Sequence, residues 1–280
     1  MAQAPDLSIQ ALFSVRGKIA LVTGGGTGIG KSIASALVQN GAKVYIAARN
    51  ESQLKEAAAE LNERGPGTAQ YIVADLSDKA GVDALISALS AIEPSHKLHI
   101  LVNNSGVAWG APLDNFPEQK GWDNVMAVNL KSVFYLTAGL LPWLAKDSTT
   151  LDPGRVINIS SVSGFSPHAE DVVSAKGNGT YSYNVSKAAL NHLTSVLAVK
   201  LAPQLITMFP TKMTAFAYKT IGENAITARQ PTGRFGMPSD VAGVALFLSS
   251  RASAHVTGEH IIVDGGSTLS SQGIAPQSRL

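Results

Sequence analysis

The chain of 280 residues contains no cysteine, which excludes disulfides, thiolate metal sites and a cysteine nucleophile together. Charge is scarce too: acidic and basic residues make up 15% of the chain and leave a formal net charge of +2. Without a broad basic surface, neither nucleic acid nor an anionic membrane is predicted as a partner, and a small-molecule ligand is favoured. No run of 18 apolar residues occurs, and Met1 to Val15 lacks a basic segment leading into an apolar one. The expectation is therefore a soluble, intracellular, cytoplasmic protein. The six histidines do not form a metal site: His96 and His99 flank a strand and His168 stands in a loop, so no metal is predicted.

What the chain does have is 45% hydrophobic residues, enough to bury a full single-domain core. Its organising stretch is Lys18 to Gly30, where the apolar run Ile19-Ala20-Leu21-Val22 breaks into Thr23-Gly24-Gly25-Gly26-Thr27-Gly28-Ile29-Gly30. That reads as strand, phosphate loop and helix, in which glycines bring backbone N–H groups close to an anion at a helix N-terminus. The spacing is G-x-x-x-G-x-G, not the G-x-G-x-x-G of the commonest dinucleotide fingerprint. Strands and helices then alternate. Helices are expected to Asn40, over 51–64, 77–92, 118–144 and 181–201, and over 239–250 with Ser239 as cap; strands are expected over 42–48, 69–74, 99–103, 155–159 and 259–263. This rhythm predicts an α/β fold with a parallel sheet and helices on both faces. The expected division is an arm over 1–16, one domain over 17–270 and a tail over 271–280. The polar loop Phe165 to Thr180 is longer than usual connections, and Thr211 to Phe235 reads as a lid.

Tyr183 and Lys187, at i and i+4 of a helix, share one face. An ammonium near a phenol favours the phenolate and draws the tyrosine pKa down into a range useful for proton transfer. With them stand the Thr23 to Gly30 loop, Asn103-Asn104-Ser105-Gly106 after a strand, Asn129 in a helix, and Asn158-Ile159-Ser160-Ser161-Val162-Ser163-Gly164. In this order, from Gly17 to Gly266, the chain resembles the short-chain dehydrogenase/reductase family. The resemblance implies a Rossmann-like doubly wound sheet and reversible hydride transfer between NAD(P)(H) and a carbonyl or alcohol. It implies that Tyr183 is the general acid, that Lys187 lowers its pKa and holds the nicotinamide ribose, and that Asn129 anchors a water in a proton relay. Ser161 would hydrogen-bond the substrate oxygen, with Ser160 as the competing candidate.

On the cofactor side the resemblance implicates Thr23, Gly24, Thr27, Gly28, Ile29, Gly30, Asp75, Leu76, Asn104, Gly106 and Thr211. The second strand ends Ala47-Ala48-Arg49, with no acidic residue for an adenosine 2′-hydroxyl and a guanidinium offered to a 2′-phosphate, which favours NADP(H). Trp109, Phe165, Phe216 and Tyr218 suggest an apolar substrate pocket. The wording around Leu12 to Lys18 and Phe209 to Thr214 resembles the branch of 3-oxoacyl and rhamnolipid-type β-ketoacyl reductases, which implies a 3-oxoacyl or polyketide-like ketone and a homodimer or homotetramer. An alcohol or sugar dehydrogenase working oxidatively is the second enzymatic reading. The chain departs from the family after Thr207, where about seven residues of the expected I-x-V-N-x-I-x-P-G strand are absent, roughly one strand length. The sixth strand is thus expected to be missing or truncated. A mis-spliced product, a natural variant that repairs the sheet with Leu205 to Phe209, and a catalytically impaired cofactor-binding protein acting only in association remain as alternatives.

Overall fold

Apolar runs that alternate with amphipathic segments have one economical burial: strands side by side, each face covered by the helices between them. A computed structural model describes residues 4–170, 175–213 and 231–270, the side chains of 210–213 excepted. Within them lie α1 (Ile9–Phe13), β1 (Ile19–Thr23), α2 (Gly28–Gln39), β2 (Lys43–Ala48), α3 (Glu51–Asn62), β3 (Thr68–Val73), α4 (Lys79–Ile92) and β4 (Ile100–Asn103). A helical run over 118–139, α5, is followed by α6 (Leu141–Ala145), β5 (Gly154–Ser160), α7 (Tyr181–Leu201), β6 (Ile206–Met213), α8 (Pro238–Ser249) and β7 (Ile261–Val263). The strands form one sheet in the order β3-β2-β1-β4-β5-β6-β7, and every neighbouring pair is parallel. After β3 the chain crosses to the far side of β1, so a crevice opens at the carboxyl ends of β1 and β4, where open α/β sheets bind ligands.

Period-two alternation distributes the core. Ala20, Val22, Val44, Ile46, Ile100, Val102, Ile157 and Phe209 face one helical layer with Ile33, Leu37, Leu54 and Leu248. Leu21, Tyr45, Ala47, Leu101, Val156, Ile206 and Met208 face the other, with Leu85, Leu89, Leu136 and Trp143. Gly41 ends α2 as expected, with φ of +86° and hydrogen bonds back into the last turn.

Three expectations are corrected. The sheet is complete. β6 pairs with β5 from Gly154↔Ile206 to Ser160↔Lys212 and with β7 from Thr211↔Ile261 to Met213↔Val263, so the sixth strand is present, with Phe209-Pro210-Thr211-Lys212-Met213 drawn into it. Ile206, Met208 and Phe209 are fully buried, each contributing about 1.5–3 kcal/mol of apolar burial. Pro210 in an interior strand is tolerated for a geometric reason. The Met208 amide donates to Thr257 Oγ1 and its carbonyl accepts from Gly258, so Met208 faces the β7 side. By alternation so does residue 210, one position before the β7 ladder starts, and its missing N–H costs the β5 ladder nothing.

The helix expected over 118–144 is not uniform. Its segments Glu118–Asp123 and Ala127–Lys131 are π-helical, and it breaks at Leu140. Helix α8 is capped not by Ser239 but from Met237: Pro238 takes the first helical position and the Asp240 carboxylate accepts the Met237 N–H at 2.7 Å. In the expected arm, Ser8 caps α1 and Phe13 lies 6.5 Å from Phe247 of α8. The 271–280 tail and most of the expected lid lie outside the described residues.

Candidate active site

The glycine loop is built by steric necessity and tied down from β4. Gly24 has φ of +65° and donates to Ala47 O. A Cβ at Gly30 would fall 2.3 Å from Gly24 O and 2.5 Å from Asn104 Nδ2, so only glycine fits there. The buried Thr23 hydroxyl accepts the amides of Asn104 and Ser105 at 2.9 and 3.0 Å, and Asn104 Nδ2 donates to the carbonyls of Thr23 and Gly24 at 2.9 and 3.2 Å. Asn104 thus holds the loop in shape. Thr27 precedes α2 without a side-chain cap, which leaves the first amides, those of Gly28, Ile29 and Gly30, without an intrahelical or capping acceptor. Such a cradle suits the pyrophosphate of a dinucleotide.

Around it stand the other residues expected on the cofactor side. Arg49 is exposed just past β2 and forms no ion pair among the described residues. Past β3, the exposed Asp75 accepts the Ser77 amide at 3.0 Å while Leu76 is buried. Thr211 sits within β6, opposite Ile159 and Ile261, and its side chain lies outside what is described.

At the carboxyl end of β5 the catalytic candidates converge. Ser161 Oγ accepts the Ser163 amide at 3.1 Å, and its hydroxyl stands close enough to the Tyr183 phenol to favour the phenolate. Ser160 instead donates to the Lys187 carbonyl at 3.3 Å, a structural bond that turns it away from Tyr183. The Lys187 ammonium donates to Ile159 O at 2.8 Å and lies 5.6 Å from the centre of the Tyr183 ring. Asn129 is wholly buried in the second π-helical turn, its Oδ1 accepting the Val107 amide at 2.8 Å and its Nδ2 donating to Val107 O at 2.9 Å. Gly106 lies between: a Cβ there would be 3.4 Å from Asn129 Oδ1 and 3.5 Å from Lys187 Nζ.

Burial governs the electrostatics. It pushes Lys187 down to about 8 and raises the Tyr183 phenol above its ordinary value, against the opposing influence of the Ser161 hydroxyl. The expected lowering of the Tyr183 pKa by Lys187 is therefore not found, because desolvation of the phenolate outweighs any stabilisation. Sequence reasoning also missed a buried polar network beneath the site. Asn103 Nδ2 donates to Asn158 Oδ1 at 2.8 Å, and Asn158 Nδ2 to Thr194 Oγ1 at 2.9 Å, joining β4, β5 and α7. Asn103 and Asn158 both lie inside the motifs already singled out, which was the available signal. Of the expected apolar lining, Trp109 and Phe165 are exposed, while Phe216 and Tyr218 lie outside the described residues. No group of side chains among the described residues could hold a metal, and no described helix is long and apolar enough to cross a membrane.

A doubly wound parallel sheet with a glycine loop after β1 and a tyrosine–lysine pair on the helix after β5 defines a nicotinamide-dependent oxidoreductase architecture. The chain belongs to the short-chain dehydrogenase/reductase family: residues 24–268 match the family described as enoyl-(acyl carrier protein) reductase. It is 42% identical over 262 residues to the rhamnolipids biosynthesis 3-oxoacyl-[acyl-carrier-protein] reductase of Pseudomonas aeruginosa, covering 91% of this chain and 97% of that protein. It is 33% identical over 274 residues to gluconate 5-dehydrogenase of Gluconobacter oxydans, covering 92% and 98%. Among solved structures it is similar to the Pseudomonas aeruginosa RhlG/NADP active-site complex, with a TM-score of 0.83, 38% identity and coverage of 92% and 98%.

Proposed function

We propose that the protein is an NADP(H)-dependent carbonyl reductase whose substrate is a 3-oxoacyl thioester or a related ketone. The observation that carries this reading is the meeting of Ser161, Tyr183 and Lys187 at the end of β5, beside an amide cradle sterically built for a close-lying anion. The reduced nicotinamide, when bound, supplies the hydride to the carbonyl carbon. The chain supplies the rest. Ser161 donates a hydrogen bond to the carbonyl oxygen, and the Tyr183 phenol gives that oxygen its proton as charge develops on it. The Lys187 ammonium stabilises the resulting phenolate and hydrogen-bonds the ribose, and Asn129 anchors a water through which the proton on Tyr183 is replaced. Arg49, exposed and free of ion pairs among the described residues, takes the adenosine 2′-phosphate.

The substrate class rests on the similarity to the Pseudomonas reductase. The reading includes self-association through α5 and α7, where Val196 and Val199 are 50% and 80% exposed. The test is NADPH oxidation against a panel of ketones and 3-oxoacyl thioesters, run beside NADPH binding by fluorescence. Tyr183→Phe is expected to abolish turnover and leave NADPH affinity within about 2-fold. Retained turnover would remove Tyr183 from its role, and binding without turnover in the unmodified protein would leave a cofactor-binding protein only.

A further inference from the structure

Ser186 lies between the two residues of the tyrosine–lysine pair and is fully buried, yet it faces neither. Its hydroxyl donates to the Tyr183 backbone carbonyl at 2.8 Å, and Asn129 Nδ2 donates to Ser186 Oγ at 3.0 Å. The direction of these bonds is forced. A carbonyl can only accept, so the single hydroxyl proton is committed to Tyr183 O, and toward Asn129 the serine oxygen can only accept. The side of the Asn129 amide that faces Ser186 must be the NH2 group. Its oxygen is then aimed at the Val107 amide, and the remaining NH2 proton at Val107 O. Every hydrogen-bonding direction of this buried amide but one oxygen lone pair is used, and it has one orientation. Through it, the helix of Tyr183 and Lys187 is coupled to the turn over Ser105, Gly106 and Val107 after β4, where Gly106 lies against Asn129 Oδ1 and Lys187 Nζ.

We infer that Ser186 is a positioning residue: its hydroxyl fixes the orientation of the Asn129 amide and so holds the π-helical turn and the Gly106 turn in register with the tyrosine–lysine helix. The catalytic consequence rests on the carbonyl-reductase reading; the positioning itself does not. Removing the hydroxyl leaves one NH2 proton of a buried amide without an acceptor and weakens both bonds to Val107.

The experiment compares the wild type with Ser186→Ala, Ser186→Cys, Asn129→Ala and the Ser186→Ala/Asn129→Ala double variant. Ser186→Cys preserves volume with a weaker acceptor and serves if the alanine variant does not fold. In the cofactor-free protein, hydrogen exchange of the Val107 amide is expected to speed up about 10-fold on losing the serine hydroxyl, while amides at the centre of β1 are unchanged. With a 3-oxoacyl thioester, kcat is expected to fall about 10-fold with KM and the fluorescence-measured Kd for NADPH within about 2-fold, and the double variant to be no slower than Asn129→Ala alone. Unchanged Val107 exchange overturns the positioning. Altered exchange with unchanged kcat, or additive losses in the double variant, overturns its catalytic consequence. If no carbonyl compound is turned over, the exchange measurement still decides the structural claim, and Tyr183→Phe alone decides the reading on which the catalytic part depends.

Discussion

Replacing Glu93 by Gln tests how far the fold depends on one buried carboxylate remote from the site. Glu93 closes α4, is 4% exposed, and accepts from Lys43 Nζ at 2.8 Å, the Tyr45 hydroxyl at 3.0 Å and the Ser95 amide at 3.1 Å. Burial alone would raise its pKa, but the three donors together outweigh burial and hold the carboxyl down at about 2 against an ordinary 4.5. A depression of that size corresponds to about 3 kcal/mol of folding stability. The sign follows from linkage: the unfolded chain binds this proton more tightly, so the contribution is complete above the unfolded pKa and is lost as pH falls through the folded one. It is about 3 kcal/mol at pH 7, about 1.4 at pH 3 and negligible below about pH 1. Glutamine keeps part of the hydrogen bonding, so the expected loss at pH 7 is about 2 kcal/mol. Urea titrations of both proteins at pH 7, 5, 4 and 3, followed by fluorescence of Trp143 in the adjoining core, give the difference directly. Burial also pushes His99 down to about 4, which weakens both proteins alike in acid and cancels in the difference. Equal stability at pH 7, or a gap that stays constant down to pH 3, would refute the reasoning.

Other expectations are sharper in one variable each. Gly30→Ala forces a Cβ to within 2.3 Å of Gly24 O, so the loop must shift: about 2 kcal/mol of stability and at least about 10-fold in NADPH affinity are expected to be lost, read by urea unfolding and fluorescence titration. Asp152→Asn removes the carboxylate shared by Lys18 at 2.5 Å and the wholly buried Arg155 at 3.4 Å. Uncompensated buried cations cost about 3–5 kcal/mol, and the partial exposure of Asp152 brings the expected loss nearer 2; urea unfolding that shows no loss would mean that water already solvates the pair. Arg49→Asp should weaken NADPH binding by at least about 10-fold and leave NADH little changed, and equal effects on both would place the 2′-phosphate elsewhere.

The parts of the site legible in the sequence are those encoded over short distances. The glycine loop is legible because its steric demands fall within eight residues, and the Tyr183–Lys187 face because i, i+4 spacing projects directly onto a helix. What sequence reasoning missed depends on partners far along the chain. Asn129 meets Ser186 across 57 positions and Val107 across 22, and no periodicity announces a π-helical turn. The choice between Ser160 and Ser161 turns on which way a strand-end hydroxyl points, which the fold sets by placing the Lys187 carbonyl over Ser160. Burial of the completed site, absent from any local pattern, reverses the expected direction of the Tyr183 pKa.

The sixth strand, expected to be missing or truncated, is present between β5 and β7, and the physical reason is instructive. An interior strand cannot be deleted without stranding the backbone groups of β5 and β7 and emptying two layers of core. That penalty is also what holds β6 in place. The segment after Thr207 contains Met208 and Phe209, which fall on opposite faces at period two and fill both layers, and its proline lands where no ladder bond is due. Against a cost of that order, a residue of poor strand propensity is a small objection. The same pairing sets Thr211 and Lys212 in register with Ile159 and Ser160. The carboxyl end of β6, Thr211 to Met213, is thereby held between the ends of β5 and β7. The parallel sheet therefore runs unbroken from β3 to β7, and the tyrosine–lysine pair stands on the helix that enters β6.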